Sequence, residues 1–277
     1  MSQLATARTW LFVPGDRPER FDKAAATGAD VVIVDLEDAV APENKPAARM
    51  ALAAALESGA RVAVRINASS SPDEGADLDL IARASRPPVA IIVAKAETVG
   101  TLARVASLGV PTVPLIESAQ GLLAMRELAG ARSVVRLAFG AVDFSLDIGS
   151  GMHDEVLGHA RFQLVVASRA AGIAAPLDSP TMALRDDAAI TQSALTARGY
   201  GMGGKLCIHP AQVAPVARAF APTPEEVEWA RALVAAAEDD GAAAIGGSLV
   251  DRPVLEKARR ILLDTHPVGG STAPRTQ

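Results

Sequence analysis

TWLFVPGDRPERFDKAAATGADVVIVDLEDAV, residues 9–40, is the stretch whose reading decides the fold. It opens with an apolar run, Thr9 to Val13, breaks at Pro14-Gly15, crosses a charged and Ala-rich segment, and returns to a second apolar run, Val31 to Asp35. Short runs without polar alternation, bounded by turn residues, predict strands buried on both faces, and the Ala-rich stretch between them predicts a crossover helix. The unit is strand, helix, parallel strand.

The same unit recurs along the chain. VAVRI (Val62 to Ile66), VAIIV (Val89 to Val93), TVPLI (Thr112 to Ile116), VRLAF (Val135 to Phe139), GIAAPLD (Gly172 to Asp178) and KLCIH (Lys205 to His209) complete a set of eight. GIAAPLD is the poorest strand former, because Pro176 lacks an N–H and its alanines have low strand propensity. Eight parallel strands alternating with helices predict a closed (β/α)8 TIM barrel over residues 1–220.

After His209 the pattern turns helical. APTPEEVEWARALVAAAEDDG, residues 221–241, begins with a capping box in which Thr223 is the N-cap, Pro224 the first helical residue and Glu226 the reaching acid. A Gly-rich stretch, Asp251 before Arg252-Pro253, and a last amphipathic helix complete a C-terminal helical extension, 221–264. Residues 265–277, rich in Gly, Ser, Thr and Pro, are expected to form a loose tail.

Composition narrows the function. The chain has 277 residues, 49 % of them hydrophobic and 21 % charged, which suits a packed core. A net charge of −5 and scattered Lys and Arg give no field to attract a phosphate backbone, so a nucleic-acid partner is not expected. The single cysteine, Cys207, excludes an intrachain disulfide and a thiolate metal cage, and fits a reducing cytoplasm. The apolar run Trp10 to Val13 is too short for a secretory leader or a membrane span.

In a barrel of this kind the active site lies at the carboxyl ends of the strands, and those ends are polar here. They read Pro14-Gly15-Asp16-Arg17, Asp35-Leu36-Glu37-Asp38, Arg65-Ile66-Asn67, Lys95, Glu117, Gly140 to Asp143, Asp178 and His209. So many carboxylates in one cleft repel unless something neutralises them, and a divalent cation is the simplest agent. Oxygen donors select a hard ion, Mg²⁺ or Mn²⁺, and the four histidines show no zinc spacing.

The ordered motifs of residues 9–40, then VAVRIN, the Lys95 strand end, LIESAQG, LAFGAVDFSLDIG, GGKLCIHPAQV and GGSLVDRP resemble those of citrate lyase β-subunit-like proteins. These form a branch of the HpcH/HpaI aldolase superfamily, and the resemblance runs from about Arg8 to about Asp264. It implies a Mg²⁺-dependent carbon–carbon lyase that cleaves or forms a β-hydroxyacyl-CoA such as malyl-CoA or citramalyl-CoA, with acetyl-CoA and a 2-oxo acid as the other partners. Three other readings stay open: a citrate lyase β subunit acting on a citryl group linked to an acyl carrier protein, an aldolase on free 2-oxo acids, and a non-catalytic CoA- or metabolite-binding barrel.

The resemblance also distributes roles. Glu117 and Asp143 match the metal ligands, with Asp147 the competing choice for the second; the structural alternative is a pair of solvated loop acids. Arg65 matches a catalytic, substrate-binding arginine and could instead pair with Glu37 or Asp38. Glu37 and Asp38 are the pair expected to serve metal-held water and Arg65, and Asp35 ranks below them as a residue that ends its strand. Lys95, Gly140 and Ala141 are expected to support substrate, although Ala94 replaces the usual proline before that lysine. Asp251 is implied as an acid/base reaching a neighbouring subunit's mouth in a homo-oligomer, trimer or hexamer, with the extension packed on that neighbour; read alone, it is an ordinary N-cap. GYGMGGKL, residues 199–206, fits GxxxxGK as a string, but Leu206 replaces the required Ser/Thr and a strand follows, so no nucleotide loop is expected.

Overall fold

The computed structural model describes residues 3–240 and 252–265, with side chains given up to Ala237 in the first span. Asp251, the Gly-rich stretch before it and the tail from His266 onward lie outside the described residues. The chain divides into two compact units, Met1–Arg218 and Ala219–Gln277.

The first unit is the expected barrel. Its strands are β1 (Thr9–Pro14), β2 (Val31–Asp35), β3 (Ala63–Ile66), β4 (Ile91–Val93), β5 (Thr112–Ile116), β6 (Arg136–Phe139), β7 (Ala174–Asp178) and β8 (Gly204–Cys207). All neighbouring pairs are parallel, and β8 returns to β1 through Thr9↔Lys205, Trp10↔Leu206 and Leu11↔Cys207. β7 forms despite its composition, but at a cost in regularity. Arg136↔Ala174 is followed by Ala138↔Leu177, so the strand bulges where Pro176 cannot donate.

Alternation along the strands makes both barrel faces apolar. Trp10, Ile33, Ala63, Ile92, Val113, Leu115, Ala138, Leu177 and Leu206 meet inside. At the amino-terminal end the wholly buried Arg136 closes the floor, with Nε donating to Ala175 O and Nη1 to the carbonyls of Ala7 and Leu4. Gly203 leaves room for it, since a Cβ there would lie 2.7 Å from Arg136 Nη2.

In the second unit, helix Pro224–Asp240 opens on the expected capping box: Thr223 N–H donates to Glu226 Oε2 (2.8 Å) and Glu226 N–H to Thr223 Oγ1 (3.2 Å). It pairs with helix Arg252–Leu263 around Ala230, Leu233 and Ala258. Among the described residues no helix is long and apolar enough to cross a membrane.

Between barrel and helices lies a buried charge cluster. Leu177 points inward, so Asp178 points outward, where it accepts from Lys205 Nζ (2.6 Å) and Arg161 Nε (2.8 Å). Burial pushes the Asp178 carboxyl up, but Lys205 and Arg161 outweigh burial and hold it below the ordinary carboxylate range. Asp178→Asn would leave two buried cations short of their counter-charge, and urea unfolding at pH 7 should show a loss of about 3–5 kcal/mol. Because the folded pKa is depressed, the contribution is complete above the unfolded value of about 3.9 and fades as pH falls through the folded one. The gap between wild type and variant should therefore close in strong acid.

Candidate active site

Parallel register places Asp35, the last residue of β2, beside Arg65 of β3. The Asp35 carboxylate accepts four hydrogen bonds: from Arg65 Nε (2.7 Å) and Nη2 (2.5 Å), and from the amides of Glu37 (2.9 Å) and Ala39 (3.1 Å). One carboxylate thus fixes both the guanidinium and the turn that follows its own strand. Arg65 Nη1 lies 2.9 Å from Glu37 Oε2, a close ion pair whose geometry falls outside that of a hydrogen bond. The Phe12 ring stacks against the guanidinium, 4.8 Å from its carbon. Burial pulls the Arg65 pKa down, and Asp35 and Glu37 more than restore it, so the group stays charged.

Behind this turn, buried Lys45 donates to Leu36 O (3.0 Å), Glu37 O (3.2 Å) and the Asn67 side-chain oxygen. Asn67 in turn donates to Asp77 through its main chain and its side-chain amide. These ties hold the Glu37 backbone from the side away from the cavity. On the cavity side, Lys95 Nζ donates to Glu37 Oε1 (2.7 Å). Burial raises the Glu37 pKa in spite of Arg65 and Lys95.

Lys95 follows β4 with φ 46°, a left-handed backbone that side chains disfavour. That twist aims its amide at Glu117, whose Oε1 accepts at 2.7 Å. Glu117 is buried at the end of β5 against Gly140, where a Cβ would stand 2.6 Å from both Glu117 Cβ and Oε2. Burial, and then the nearby Glu37 charge, push the Glu117 carboxyl up to about 8, against the pull of the Lys95 amide and Arg65.

Gly140 leads into helix Ala141–Asp147, which puts Asp143 in its first turn. The Gly140 amide donates to Ile116 O (2.9 Å) and the Ala141 amide to Ser179 Oγ (3.0 Å), so both main-chain groups brace the turn. Asp143 and Asp147, four residues apart, part company here. Asp143 lines the cavity, whereas Asp147 Oδ2 accepts from the Ala119 amide (2.7 Å) and caps the helix after Glu117.

Arg65, Glu117, Asp143, Gly140 and Asp35 line one cavity of about 250 Å³ at the carboxyl end of the barrel. Glu37 and Lys95 adjoin it through Arg65 and Glu117. Asp38 is exposed at the rim, 3.9 Å from Lys95 Nζ. Sequence reasoning ranked Asp35 below Glu37 and Asp38; its strand-end register opposite Arg65 was the available signal. Ser179 was missed, and no spacing rule would have found it.

A closed parallel barrel with a buried acidic cluster around one guanidinium at its carboxyl end has the construction of a (β/α)8-barrel enzyme. Comparison with known proteins names the kind. The chain belongs to the HpcH/HpaI aldolase/citrate lyase family, a family of lyases, whose pattern matches residues 8–210. It is 37 % identical over 270 residues to a citrate lyase subunit beta-like protein of Mycobacterium tuberculosis, covering 95 % of this chain and 97 % of that one. It is 32 % identical over 280 residues to a (3S)-malyl-CoA thioesterase of Cereibacter sphaeroides, covering 96 % and 97 %. The crystal structure of protein CitE from M. tuberculosis in complex with magnesium, acetoacetate and coenzyme A superposes with a TM-score of 0.83 at 36 % identity, over 94 % of this chain and 99 % of that one.

The Lys95 backbone offers a direct check on this geometry. Lys95→Ala removes the ammonium and keeps the left-handed strain, whereas Lys95→Gly removes both. The glycine variant should be the more stable of the two by about 1 kcal/mol in urea unfolding. Equal midpoints would mean that the backbone at this position is not held left-handed.

Proposed function

We infer that the chain is a Mg²⁺-dependent lyase for a β-hydroxyacyl-CoA of the malyl-CoA or citramalyl-CoA type, releasing or condensing acetyl-CoA and a 2-oxo acid. The observation that supports this best is Arg65, fixed by Asp35 and facing the same small cavity as Glu117 and Asp143. Magnesium, acetoacetate and coenzyme A in the CitE complex support the metal and the thioester.

The donor set fits the ion. Among the described residues no three His, Cys, Asp or Glu side chains converge as a closed metal cage. Two carboxylates on one cavity suit Mg²⁺, which takes one or two protein oxygens and leaves its other positions to water and substrate. Glu117 and Asp143 would hold it, and its positive charge would offset the burial and the Glu37 repulsion that together raise the Glu117 pKa. When bound, it supplies Lewis-acid polarisation of substrate oxygens.

The chain's own groups do the rest. Arg65, already oriented by Asp35, holds the oxygen that changes from hydroxyl to carbonyl and needs no reorganisation as charge develops. Glu37 adjoins the cavity beside Arg65 and would receive the hydroxyl proton by way of water. The carbon–carbon bond then breaks, its electron pair passing into the thioester enolate, which a proton on Asp251 quenches to the acetyl thioester. Asp38 and Lys95 set the charge around Glu37 at the rim. The role of Asp251, its service to a neighbouring subunit and the packing of the extension on that subunit rest on the family resemblance.

Acetyl-CoA incubated with glyoxylate, pyruvate or oxaloacetate should be consumed only with Mg²⁺ present, and consumption with none of them returns the protein to the binding-module reading. Calorimetric titration should show Mg²⁺ affinity lost in Glu117→Gln and Asp143→Asn and kept in Asp147→Asn. Loss in the Asp147 variant alone would move the second ligand.

Asp251→Asn and Glu117→Gln should each be nearly inactive. Co-expressed, they can form mixed oligomers in which a barrel with Glu117 receives Asp251 from its neighbour, and activity should return. A mixture as inactive as its parents despite verified subunit mixing would confine Asp251 to its own chain or to no role.

A further inference from the structure

Alternation along β7 decides where its last side chains go. Leu177 packs inside the barrel and Asp178 points out to Lys205 and Arg161, so Ser179 turns back to the mouth, where it lines the cavity of Arg65, Glu117 and Asp143. It is buried there. The segment is held at both ends. Asp178 anchors it to β8 and to helix Asp154–Ala170, and buried Gln212 donates Nε2 to Thr181 O (2.6 Å) and Ala183 O (2.9 Å). Gln212 Oε1 accepts the amides of Ile208 (2.8 Å) and His209 (3.2 Å), which ties the loop after β7 to the turn after β8.

A hydroxyl can accept and donate at once. Ser179 Oγ accepts from the Ala141 amide (3.0 Å), and its own hydrogen has no acceptor among the described residues. Of the side chains lining the cavity, Arg65 and Ser179 are the two donors by chemistry; the others are apolar or acidic. The main-chain amides of Gly140 and Ala141 are already given to Ile116 and Ser179.

We propose that Ser179 is a further substrate-binding residue, whose hydroxyl takes the Ala141 amide on one side and donates its hydrogen to the carboxylate of the 2-oxo acid on the other. The inference rests on the lyase reading given above. Arg65 is assigned there to the oxygen that changes between hydroxyl and carbonyl. The acid's carboxylate still needs a donor in a cavity lined by Asp35, Glu117 and Asp143, and that donor is Ser179. Hydrogen bonds to a charged acceptor are stronger than neutral ones, and the Ala141 amide, by donating to the same oxygen, polarises the hydroxyl and strengthens the bond it gives. The anchors at Asp178 and Gln212 fix the donor before the ligand arrives, so little order is lost on binding. A brace for the Asp143 turn needs only the serine oxygen; the uncommitted hydrogen is what points to a ligand.

Calorimetric titration of the full-length, Mg²⁺-loaded protein with glyoxylate, pyruvate and freshly dissolved oxaloacetate tests this without turnover. Whichever of these acids bind the wild type should bind Ser179→Ala about tenfold or more weakly, the scale of one hydrogen bond to a charged group, because all share the same carboxylate. Mg²⁺ affinity, which reads the position of the Asp143 turn, should stay at the wild-type value. Ser179→Thr keeps both the oxygen and its hydrogen and should bind the acids nearly as the wild type does. Undiminished affinity for the acids in Ser179→Ala would overturn the proposal, and so would an equal loss of Mg²⁺ affinity, which marks a brace and nothing more. A threonine variant that unfolds at the wild-type urea midpoint yet binds the acids as weakly as the alanine variant would overturn it as well. Failure of the lyase reading looks different: none of the three acids binds the wild type and no thioester is consumed, and the proposal falls with it.

Discussion

The fork between Asp35 and Arg65 is the interaction on which the mouth of this barrel depends. It joins the last residue of one strand to its register partner on the next, and the same carboxylate takes the amides of Glu37 and Ala39. Burying a carboxylate is tolerable when donors surround it, and burying a guanidinium when acids lie beside it. Neither would be tolerated alone. The position of Glu37, and through it that of Lys95, follows from this pair.

Glu117 is treated differently. Burial and the repulsion of Glu37 and Asp143 outweigh the Lys95 amide and the charge of Arg65, so its carboxyl is pushed above the ordinary range. The contrast with Asp178 is instructive, because both are buried carboxylates at strand ends. Asp178 faces the helices and is neutralised by Lys205 and Arg161, whereas Glu117 faces the cavity and is left short of positive charge. Direction from the strand separates an acid neutralised in the packing from one that faces the cavity.

Much of this was legible in the sequence. Two-sided burial leaves continuous apolar runs, and eight of them at regular spacing state the barrel almost unaided; the Pro176 run was hardest because its strand tolerates a bulge. The polar strand ends placed Arg65, Glu117 and the Gly140–Asp143 turn at one mouth for the same reason. Spacing could not separate Asp143 from Asp147, since four residues put both on one side of a helix. The difference is a capping bond to Ala119, from a segment more than 25 residues earlier. Nor could it show the left-handed turn at Lys95, which no glycine marks, or the Ser179 bond to Ala141.

The floor sealed by Arg136 has a kinetic meaning. With the amino-terminal end shut by that side chain and by Trp10, the mouth is the way in and the way out. Such a blind chamber has one opening, so whatever binds deepest must enter first and depart last.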